Sequence, residues 1–320
     1  FSNTILDKNH LWIDNSPASP YNGYLYDAWT NFIPGSPDTN QIVIARSTTN
    51  GVSWSGPVKI SSAANALAFN HGVNIQTGPD GEVYVAWTIY DSWPADETAI
   101  GFTRSTDGGE TYTPASRIIS NIKGIRTSGT GKMMRVNSFP SMTVDITNGP
   151  NRGNIYLVWS NVGVPGINTG TDIDVYMIRS TYHGSTWSAP VRVNQDPAGL
   201  GKQHYFPWIT CDPVTGGLCV VYYDDRNLPS TDAAVFVSWS YDGGLTWDDM
   251  QVSDYTFTPL PIPGLAYNYF GDYIGIQSRN MKVFPVWTDN HLGGRAMTFT
   301  SPFFLGPNPN QPWVTYYSNG

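Results

Sequence analysis

Four of the five histidines, together with several aspartates, fall at recurring places in the sequence where a shared site could form. His10, His71 and His204 each stand at the start of an apolar and aromatic run, and Asp272 stands at the start of another. Imidazole can act as general base, hydrogen-bond donor or metal ligand, and a carboxylate can act as acid, base or nucleophile. The recurrence predicts one site that gathers these residues. The structural alternative is that each imidazole caps a strand or contacts a neighbouring unit.

A second recurring set follows the next apolar run of each unit. Its members are polar or charged: Asn31, Asp91, Asn161, Asp224, Asp225, Arg226, Asp289 and His291. Glycoside hydrolysis typically needs two carboxyl groups beside the scissile bond, one of them held protonated. Asp272 is the first choice, because it has no adjacent cation in sequence. The second carboxyl group would be Asp224, Asp225 or Asp289, although Asp225 can alternatively form a simple ion pair with Arg226.

Elimination is the other reaction that these residue types allow, since a His or Tyr can remove the proton. The tyrosines beside the inner positions are Tyr205, Tyr223 and Tyr273. The predicted catalytic set is Asp272, Asp225, Asp289, His204 and Tyr273. The predicted substrate-binding set is His10, His71, Arg226, Arg135 and His291. The pattern requires no cofactor. The residue types nevertheless allow a divalent metal, whose ligands would be His10, His71, His204 and Asp272.

A basic cluster stands out in this acidic chain, within the long connection 121–137. It comprises Lys123, Arg126, Lys132 and Arg135, with Lys8 and Lys202 ahead of two of the inner runs. Positive charge over a pocket would suit a sugar that carries a carboxylate or a sulfate. The alternative is a solvated loop with no ligand.

Four copies of one turn motif organise the elements that would position these residues. They are Ser47-Thr-Thr-Asn-Gly-Val-Ser-Trp54, Ser105-Thr-Asp-Gly-Gly-Glu-Thr-Tyr112, Ser180-Thr-Tyr-His-Gly-Ser-Thr-Trp187 and Ser240-Tyr-Asp-Gly-Gly-Leu-Thr-Trp247. A short polar side chain can bond backbone N–H groups two residues on, Gly supplies positive φ, and the closing aromatic ring packs between sheets. The motif is therefore a structural staple, and a repeat of this period in an all-β chain indicates propeller blades.

Short strands around each staple predict four-stranded blades, joined by Gly and Pro turns. The predicted blades span about 10–61, 71–120, 138–194, 204–254 and 271–301, so the sequence predicts five blades, with six as the alternative. The fifth unit has no staple, and we expect the N-terminal strand 1–6 to complete it and close the ring. The tail 308–320 could belong to an incomplete sixth blade. Without a linker or a composition break, 1–320 is predicted to be a single β-propeller domain.

The pattern Ser-x-Asp-x-Gly-x-Thr-Trp resembles the Asp-box, or BNR repeat, of secreted sialidase-like β-propellers. The segment Tyr-Phe-Gly-Asp-Tyr-Ile-Gly of the last unit, at 269–275, is also similar to one that recurs in that group. The resemblance implies that the inner strand of each blade starts at the ligand-binding face, where the second strand ends. The sequence departs from true sialidases, because it lacks their Arg-Ile-Pro segment and has Glu only at Glu82, Glu97 and Glu110. Typical sialidase activity is therefore not expected.

Composition narrows the class further. The chain has 320 residues, a net charge of −8, and 13% charged residues against 14% aromatic ones. The negative net charge argues against general binding of nucleic acid, whose phosphates are themselves negative. The sequence contains no run of 18 apolar residues, so it does not predict a membrane span. The start at Phe1 has neither an initiator Met nor a hydrophobic leader, so we expect a trimmed, secreted or cell-surface product. Cys211 and Cys219 could form a disulfide across a hairpin or remain two buried thiols.

These observations lead to one function and two alternatives. We expect a secreted carbohydrate-active enzyme, a glycoside hydrolase or a lyase, that acts on acidic glycans at the axial pocket. The alternatives are a non-catalytic glycan-binding or adhesion propeller and a partner-binding scaffold, because a propeller fold does not itself specify a function.

Overall fold

A computed structural model describes residues 4–33, 40–64, 69–127, 129–293, 295–306 and 315–316. Within these ranges the regular structure consists of β-strands, arranged in five antiparallel sheets that follow one another along the chain. We call the sheets blades 1 to 5. The prediction of an all-β propeller of four-stranded blades is confirmed as a fold class.

The strands of the blades are as follows. Blade 1 contains β1 (Ile5–Ile13), β2 (Leu25–Phe32), β3 (Asn40–Ser47) and β4 (Val58–Lys59). Blade 2 contains β5 (Phe69–Thr77), β6 (Val83–Tyr90), β7 (Ala99–Ser105) and β8 (Ser116–Ser120). Blade 3 contains β9 (Ser141–Val144), β10 (Ile155–Val162), β11 (Ile173–Ser180) and β12 (Val191–Arg192). Blade 4 contains β13 (His204–Cys211), β14 (Leu218–Asp224), β15 (Ala234–Ser240) and β16 (Asp248–Gln251).

Blade 5 departs from the simple order. It contains β17 (Gly275–Arg279), β18 (Lys282–Asp289), β19 (Met297–Thr300), β20 (Phe303–Phe304) and β21 (Thr315–Tyr316). Both β19 and β20 pair with β18, at different ends of that strand, and β21 pairs with β20. The two-residue strand β21 is the described part of the tail 308–320, and it extends blade 5.

The staple turns hold the ends of the third strands by local hydrogen bonds. In the second staple, Asp107 accepts hydrogen bonds from the backbone N–H groups of Glu110 and Thr111 and from the Thr111 hydroxyl. Asp242 does the same for Leu245 and Thr246 in the fourth staple. A short carboxylate that satisfies three donors fixes the turn, which is the structural role expected for this motif.

Four hydrophobic clusters lie between consecutive blades and form the core. They join blades 1 and 2, 2 and 3, 3 and 4, and 4 and 5. Fully buried aromatic rings such as Trp87 and Trp159 fill the space between the sheets. Burial of these large apolar surfaces is the main source of stability for such stacked sheets.

The structure does not place the N-terminal segment in blade 5. Ile5 and Leu6 belong to β1 and pair with Phe32 and Asn31 of blade 1, so this prediction is wrong for the described part of the segment. Residues 1–3 lie outside the described residues. Residues 5–6 are part of the inner strand of blade 1, because β1 continues on both sides of a bulge between Asp7 and His10.

Cys211 and Cys219 are free thiols, so the structure favours the second of the two alternatives for this pair. In the hairpin register Cys219 lies opposite Thr210, while Cys211 lies opposite Leu218. Successive side chains of a strand point to opposite faces, so the two sulfur atoms lie on different sides of blade 4. No helix in the described parts of the chain is long and apolar enough to cross a membrane.

Candidate active site at the axial face

A shared bulge shapes the inner strands at one face of the propeller. The register of β1, β5 and β13 shifts at the same place, between Asp7 and His10, His71 and Asn74, and Tyr205 and Trp208. At each bulge one residue has positive φ: Lys8 (56°), Gly72 (68°) and Phe206 (54°). Bulges re-aim the neighbouring side chains, and here they bring Asp7 and His71 into contact at the axis.

Gly72 shows why the bulge of β5 carries a glycine. A Cβ atom at this position would lie 2.2 Å from the ring of Phe139, in addition to the cost of positive φ. Phe139 in turn packs edge-on against the His71 imidazole, with ring centroids 5.0 Å apart. Close packing of backbone and ring therefore fixes the orientation of His71.

Asp272 lies at the centre of the polar cluster. Its side chain is almost fully buried, and Lys8 Nζ lies 2.7 Å from its Oδ2 atom. Asn137 Nδ2 donates to Oδ1 at 3.0 Å and the Tyr269 hydroxyl donates to Oδ2 at 2.8 Å. Arg135 is 4.0 Å away. The sequence-based choice of Asp272 as an axial residue agrees with this position.

Asp7 is the second carboxylate of the cluster, and its side chain is half-exposed. Its Oδ2 atom lies 3.3 Å from His71 Nε2, and its Oδ1 atom accepts from the Lys8 backbone N–H at 2.8 Å. The hydrogen bond with His71, helped by the Lys8 ammonium and opposed by burial, holds the pKa of Asp7 well below its usual range. Burial lowers the pKa of His71, so at neutral pH the pair is an ionised carboxylate beside a neutral imidazole.

Aromatic rings line the space next to this cluster. Tyr273 packs at 5.8 Å against both Phe139 and Trp208, and 41% of its surface is exposed. The guanidinium of Arg135 lies over the Tyr269 ring at 4.9 Å. Exposed aromatic faces beside carboxylates and cations can bind the apolar and polar faces of a sugar at once.

His10 does not join the cluster around Asp7 and Asp272. Its Nδ1 atom accepts from the Ile75 backbone N–H at 3.0 Å, and its ring lies between Trp12 and Trp208. Burial lowers the pKa of His10 to about 4. The expected alignment of His10 with His71 is wrong, because the bulge makes Asp7 the counterpart of His71 and His10 the counterpart of Asn74.

His204 lies in a separate, fully buried network of charges. Its Nε2 atom is 3.2 Å from both Asp196 and Asp224, and its Nδ1 atom lies 2.7 Å from the Ile173 carbonyl oxygen. Burial opposes a charged imidazole, yet Asp224 and Asp196 raise the pKa of His204 to about 10. His204 is therefore an imidazolium at neutral pH that stabilises blades 3 and 4, and it is not free to act as a base.

The predicted metal ligands are not brought together. In the part of the chain that the structure describes, one group of three possible ligands lies within 4.8 Å, formed by Asp174, Asp196 and His204. His10, His71 and Asp272 are not members of it. Arg192 lies 2.9 Å from Asp174 and 3.0 Å from Asp196, so protein cations already neutralise these carboxylates.

Stability should depend on pH through His204. Because its folded pKa is raised to about 10 from 6.5, the charged His204 stabilises the fold fully below pH 6.5. That contribution is lost as pH rises from 7 towards 10. We expect the midpoint of urea unfolding to fall over this range in the native chain. A His204→Gln variant should be less stable at pH 6 and should lose the His204 part of this slope; an unchanged slope would contradict the assignment.

The other predicted carboxylates are engaged in ion pairs or hydrogen bonds of their own. Asp225 forms its ion pair with Lys132 at 2.5 Å, and not with Arg226, which was the structural alternative for this carboxylate. Arg226 instead binds Asp224 and, through two nitrogens, Asp249. These side chains are buried and satisfied, and no hydrogen bond or ion pair between described residues joins them to Asp272.

Asp289 and His291 form a third local group at the end of β18. The buried Asp289 accepts from Tyr255 and Trp287, each at 2.8 Å, and His291 Nδ1 lies 2.5 Å away. The His291 ring stacks on Tyr255 with centroids 3.6 Å apart. Among the described contacts, none connects this group with the axial carboxylates, so their predicted shared roles receive no support.

The basic residues of the connection 121–137 are also dispersed. Lys132 is buried against Asp225, Arg126 lies over Trp93, and Arg135 reaches the axial cluster. The Lys202 ammonium donates to the Leu228 carbonyl oxygen. Of the basic residues whose side-chain contacts are described above, Lys8 and Arg135 reach the axial cluster.

Glu97 holds the connection that delivers Arg135 and Asn137. This fully buried carboxylate accepts from the backbone N–H groups of Ile125 and Arg126 through Oε2, and from Ser138 through Oε1. It therefore fixes both ends of the segment 125–138. Nothing in the sequence indicated this role for Glu97, because these three backbone donors lie 28, 29 and 41 positions away in the chain.

Replacing Glu97 by Gln should loosen this segment. An amide has one acceptor oxygen, so its NH₂ group would face backbone donors, at a cost of about 1–3 kcal/mol for the unsatisfied groups. We expect faster amide hydrogen exchange in 125–138 and a higher KM for any substrate bound by Arg135. Glu110→Gln, at an exposed surface pair, is the matched control and should change neither quantity. Equal exchange in both variants would contradict the role of Glu97.

Asp7 and Tyr269 belong to the axial cluster, although the sequence did not single them out. Asp7 precedes the expected inner-strand start by three positions, and Tyr269 lies in the Pro-rich connection 254–269. The sequence does contain one indication of Asp7, because Asp7-Lys8 closely precedes the first histidine run. The bulge that turns Asp7 inward, however, is not marked by a glycine in blade 1, as the bulge of blade 2 is.

Fold and site together define the class of protein: an all-β propeller with a polar cluster at one end of its axis. No protein-family model matches the chain, and a search of curated proteins finds no match. Solved structures do match. An intramolecular trans-sialidase from leech has a TM-score of 0.60 and 10% identity over 98% of this chain and 60% of its own.

Two further similar structures are also glycan-active enzymes. A GH93 α-L-arabinofuranosidase of Fusarium graminearum, in complex with arabinobiose, has a TM-score of 0.58 and 15% identity, covering 96% of this chain and 82% of its own. An ulvan lyase of polysaccharide lyase family 25 has a TM-score of 0.50 and 12% identity, covering 92% and 66%. At such identities the similarity shows the fold, and the chain spans about 60% of the length of the trans-sialidase.

Proposed function

We propose that the protein is a glycoside hydrolase that acts at the axial cluster, with Asp7 and Asp272 as its two carboxyl groups. One observation carries the proposal: both carboxylates contact the same Lys8 ammonium, at 3.4 and 2.7 Å. Solved propellers of similar fold act on glycans as hydrolases, a trans-sialidase and a lyase, which supports a carbohydrate substrate.

The separation of the two carboxylates favours one stereochemical course. Because both bind Lys8 Nζ, the contacting oxygens of Asp7 and Asp272 lie at most about 6 Å apart. Retaining glycosidases hold their carboxyl groups about 5–5.5 Å apart, whereas inverting ones need about 6.5–9.5 Å for a water molecule. The geometry therefore supports hydrolysis with retention of anomeric configuration.

The two carboxyl groups differ in environment, as acid and nucleophile should. Asp7 is half-exposed and ionised, and three contacts from His71 and Lys8 orient it, so it suits attack on the anomeric carbon. Asp272 is enclosed beside Asp7, so we assign it the role of general acid, which donates a proton to the leaving-group oxygen.

We propose an acidic glycan as the substrate. Among the described residues, Lys8 and Arg135 are cations that reach Asp272, and Arg135 is partly exposed beside the Tyr269 ring. A sugar carboxylate or sulfate could bind Arg135 while its ring packs on Tyr273. The proposal includes a secreted or cell-surface location, which fractionation of the producing cells would test.

Mass spectrometry of acidic oligosaccharides incubated with the purified chain tests the function. Products that gain one water, with the anomer retained in early NMR spectra, are the expected result. Products with inverted configuration would contradict the role of Asp7 as nucleophile. Products with an unsaturated uronate would replace the hydrolase by a lyase with a His71 or Tyr269 base.

A glycan-binding propeller without turnover is the second candidate. It is favoured by the hydrogen bonds of Asp272, whose oxygens are already satisfied by Lys8, Asn137 and Tyr269. Such a saturated carboxylate can have a purely structural role. Saturable binding in calorimetry, with no product from any substrate, would replace the first candidate by this one.

A further inference from the structure

The loop between β6 and β7 holds an exposed tryptophan near the axial cluster. Trp93 is 41% exposed, and its ring packs at 5.7 Å against Phe69 and at 5.2 Å against Tyr90. Phe69 precedes His71 by two positions in β5, so both side chains point to the same side of the strand, about 7 Å apart along it. Two rings therefore hold Trp93 in place beyond the strand start that supplies His71, and they leave part of its surface open.

Arg126 completes this surface. Its guanidinium lies 5.3 Å from the centre of the Trp93 ring, within the range of a cation–π contact. Arg117 and Arg192 reach carboxylates, whereas no carboxylate among the described residues forms an ion pair with the partly exposed Arg126. We call Trp93 and Arg126 the outer platform. It offers a flat apolar face and a cation whose charge is left for a ligand.

Hydrogen bonds tie together the two connections that carry the outer platform. Asp96, three residues after Trp93, accepts from both the backbone N–H and the hydroxyl of Thr127, the latter at 2.8 Å. Glu97 accepts from the backbone N–H of Arg126 at 3.2 Å. Each of the two connections is thus bound to the other directly beside the platform. Its two side chains are therefore held together by the fold as well as by their own contact.

Glu97 also relates the outer platform to the axial cluster. Its Oε2 atom binds the Arg126 N–H, and its Oε1 atom accepts from the Ser138 N–H at 3.0 Å. The preceding residue, Asn137, donates through its side chain to Asp272. One fully buried carboxylate therefore sets the distance between the platform and the axial site. Two sites at a fixed spacing suit two units of one chain-like ligand, because binding of the first unit raises the effective concentration of the second.

Tyr90 responds to charges at both sites. Burial raises the pKa of its hydroxyl well above the usual range, Glu97 adds to this effect, Arg126 opposes it, and Tyr273 makes a further contribution that raises it. Arg126 of the outer platform and Tyr273 of the axial aromatic group therefore both act on Tyr90 at short range. The two sites lie on neighbouring parts of one face of the propeller.

We propose that the outer platform is a second sugar subsite, which binds a uronate unit of the same glycan chain that the axial carboxylates cleave. The planar guanidinium of Arg126 matches a carboxylate in a bidentate pair, and the Trp93 ring packs against the apolar face of the sugar. This inference rests on the proposed glycoside hydrolase function and extends it, since the substrate becomes a polyuronate of several units. A disaccharide held at Asp7 and Asp272 would be too short to reach Trp93.

Chain length tests the outer platform. The probes are oligomers of galacturonate, glucuronate and mannuronate, each with two and with six units. We would measure kcat/KM where products form, and Kd by calorimetry where none form. Arg126→Gln should weaken the value for the hexamers by about ten- to a hundred-fold, which corresponds to a lost hydrogen bond to a charged group. Trp93→Ala should act in the same direction, and both variants should leave the dimers unchanged.

Trp54 provides the matched control. It lies in the first staple, on the opposite face, and it is exposed to the same 41% as Trp93. Trp54→Ala should change the values for neither length. Arg126→Gln keeps the backbone N–H that Glu97 binds, so it tests the platform even where Trp93→Ala loosens its own loop.

The outcomes separate the subsite from the catalytic proposal. Hexamers that bind through Trp93 and Arg126 but yield no products would retain the subsite and reject the hydrolase. Hydrolysis with equal kcat/KM in the unmodified chain and both variants would overturn the subsite and leave the hydrolase in place. The same loss for dimers and hexamers would also overturn it, because that result indicates that Arg126 braces a loop. Failure of every hexamer to bind or react would overturn the subsite as well.

Discussion

Replacing Asp7 by Asn is expected to lower kcat on a hydrolysed glycan by about a thousand-fold or more, with a much smaller change in KM. Asn has nearly the shape of Asp and can keep contacts with His71 and Lys8. It cannot form the covalent intermediate or carry the negative charge that the lowered pKa of Asp7 maintains. The loss should therefore be confined to the chemical step, which steady-state kinetics and product analysis would measure.

A matched control separates the chemistry from a change in surface charge. Asp80 lies in the hairpin turn between β5 and β6, and Asp80→Asn removes a largely exposed carboxylate that pairs with Arg152 of the turn between β9 and β10. It should leave kcat and KM unchanged. If Asp7→Asn retained full activity while the fold remained intact, Asp7 would not be the nucleophile. If Asp272→Asn also retained activity, the whole carboxyl pair would be excluded.

The repeats made the fold predictable because each staple is a local structure. Asp107 and Asp242 satisfy donors three or four residues away, so their roles are visible in any short window of sequence. The place of Asp272 near the axis was also predictable, since it lies three residues before the inner strand of blade 5. These features depend on short-range chemistry that repeats along the chain.

The errors concern residues whose positions depend on long-range contacts. Like His71, His10 follows an Asn and begins an apolar run, but the bulge at Lys8 shifts it along the strand to the place of Asn74. Lys rarely adopts positive φ, so Lys8 gives no warning of a bulge, whereas Gly72 does. Asp225 could be paired in sequence only with its neighbour Arg226, yet its true partner is Lys132, 93 positions away.

Replacing Lys132 by Met is expected to lower the free energy of unfolding by about 3–5 kcal/mol, because an uncompensated charge would remain buried. Lys132 Nζ contacts Asp225 at 2.5 Å and Gln203 at 3.2 Å, and both charged side chains are essentially inaccessible to solvent. Burial lowers the pKa of Lys132, and Asp225 opposes that effect with a smaller contribution from Asp224, so the ammonium depends chiefly on Asp225. Denaturant titration followed by tryptophan fluorescence would measure the loss.

The double variant Lys132→Met, Asp225→Asn distinguishes a buried charge from lost packing. With both charges removed, much of the lost stability should return, since neutral groups of similar volume avoid the desolvation cost. Arg152→Met is the surface control and should cost less than about 1 kcal/mol. A double variant as unstable as Lys132→Met would contradict the charge argument. Because Arg135 follows Lys132 by three residues, the pair also anchors the segment that reaches Asp272, so stability and the axial site share this contact.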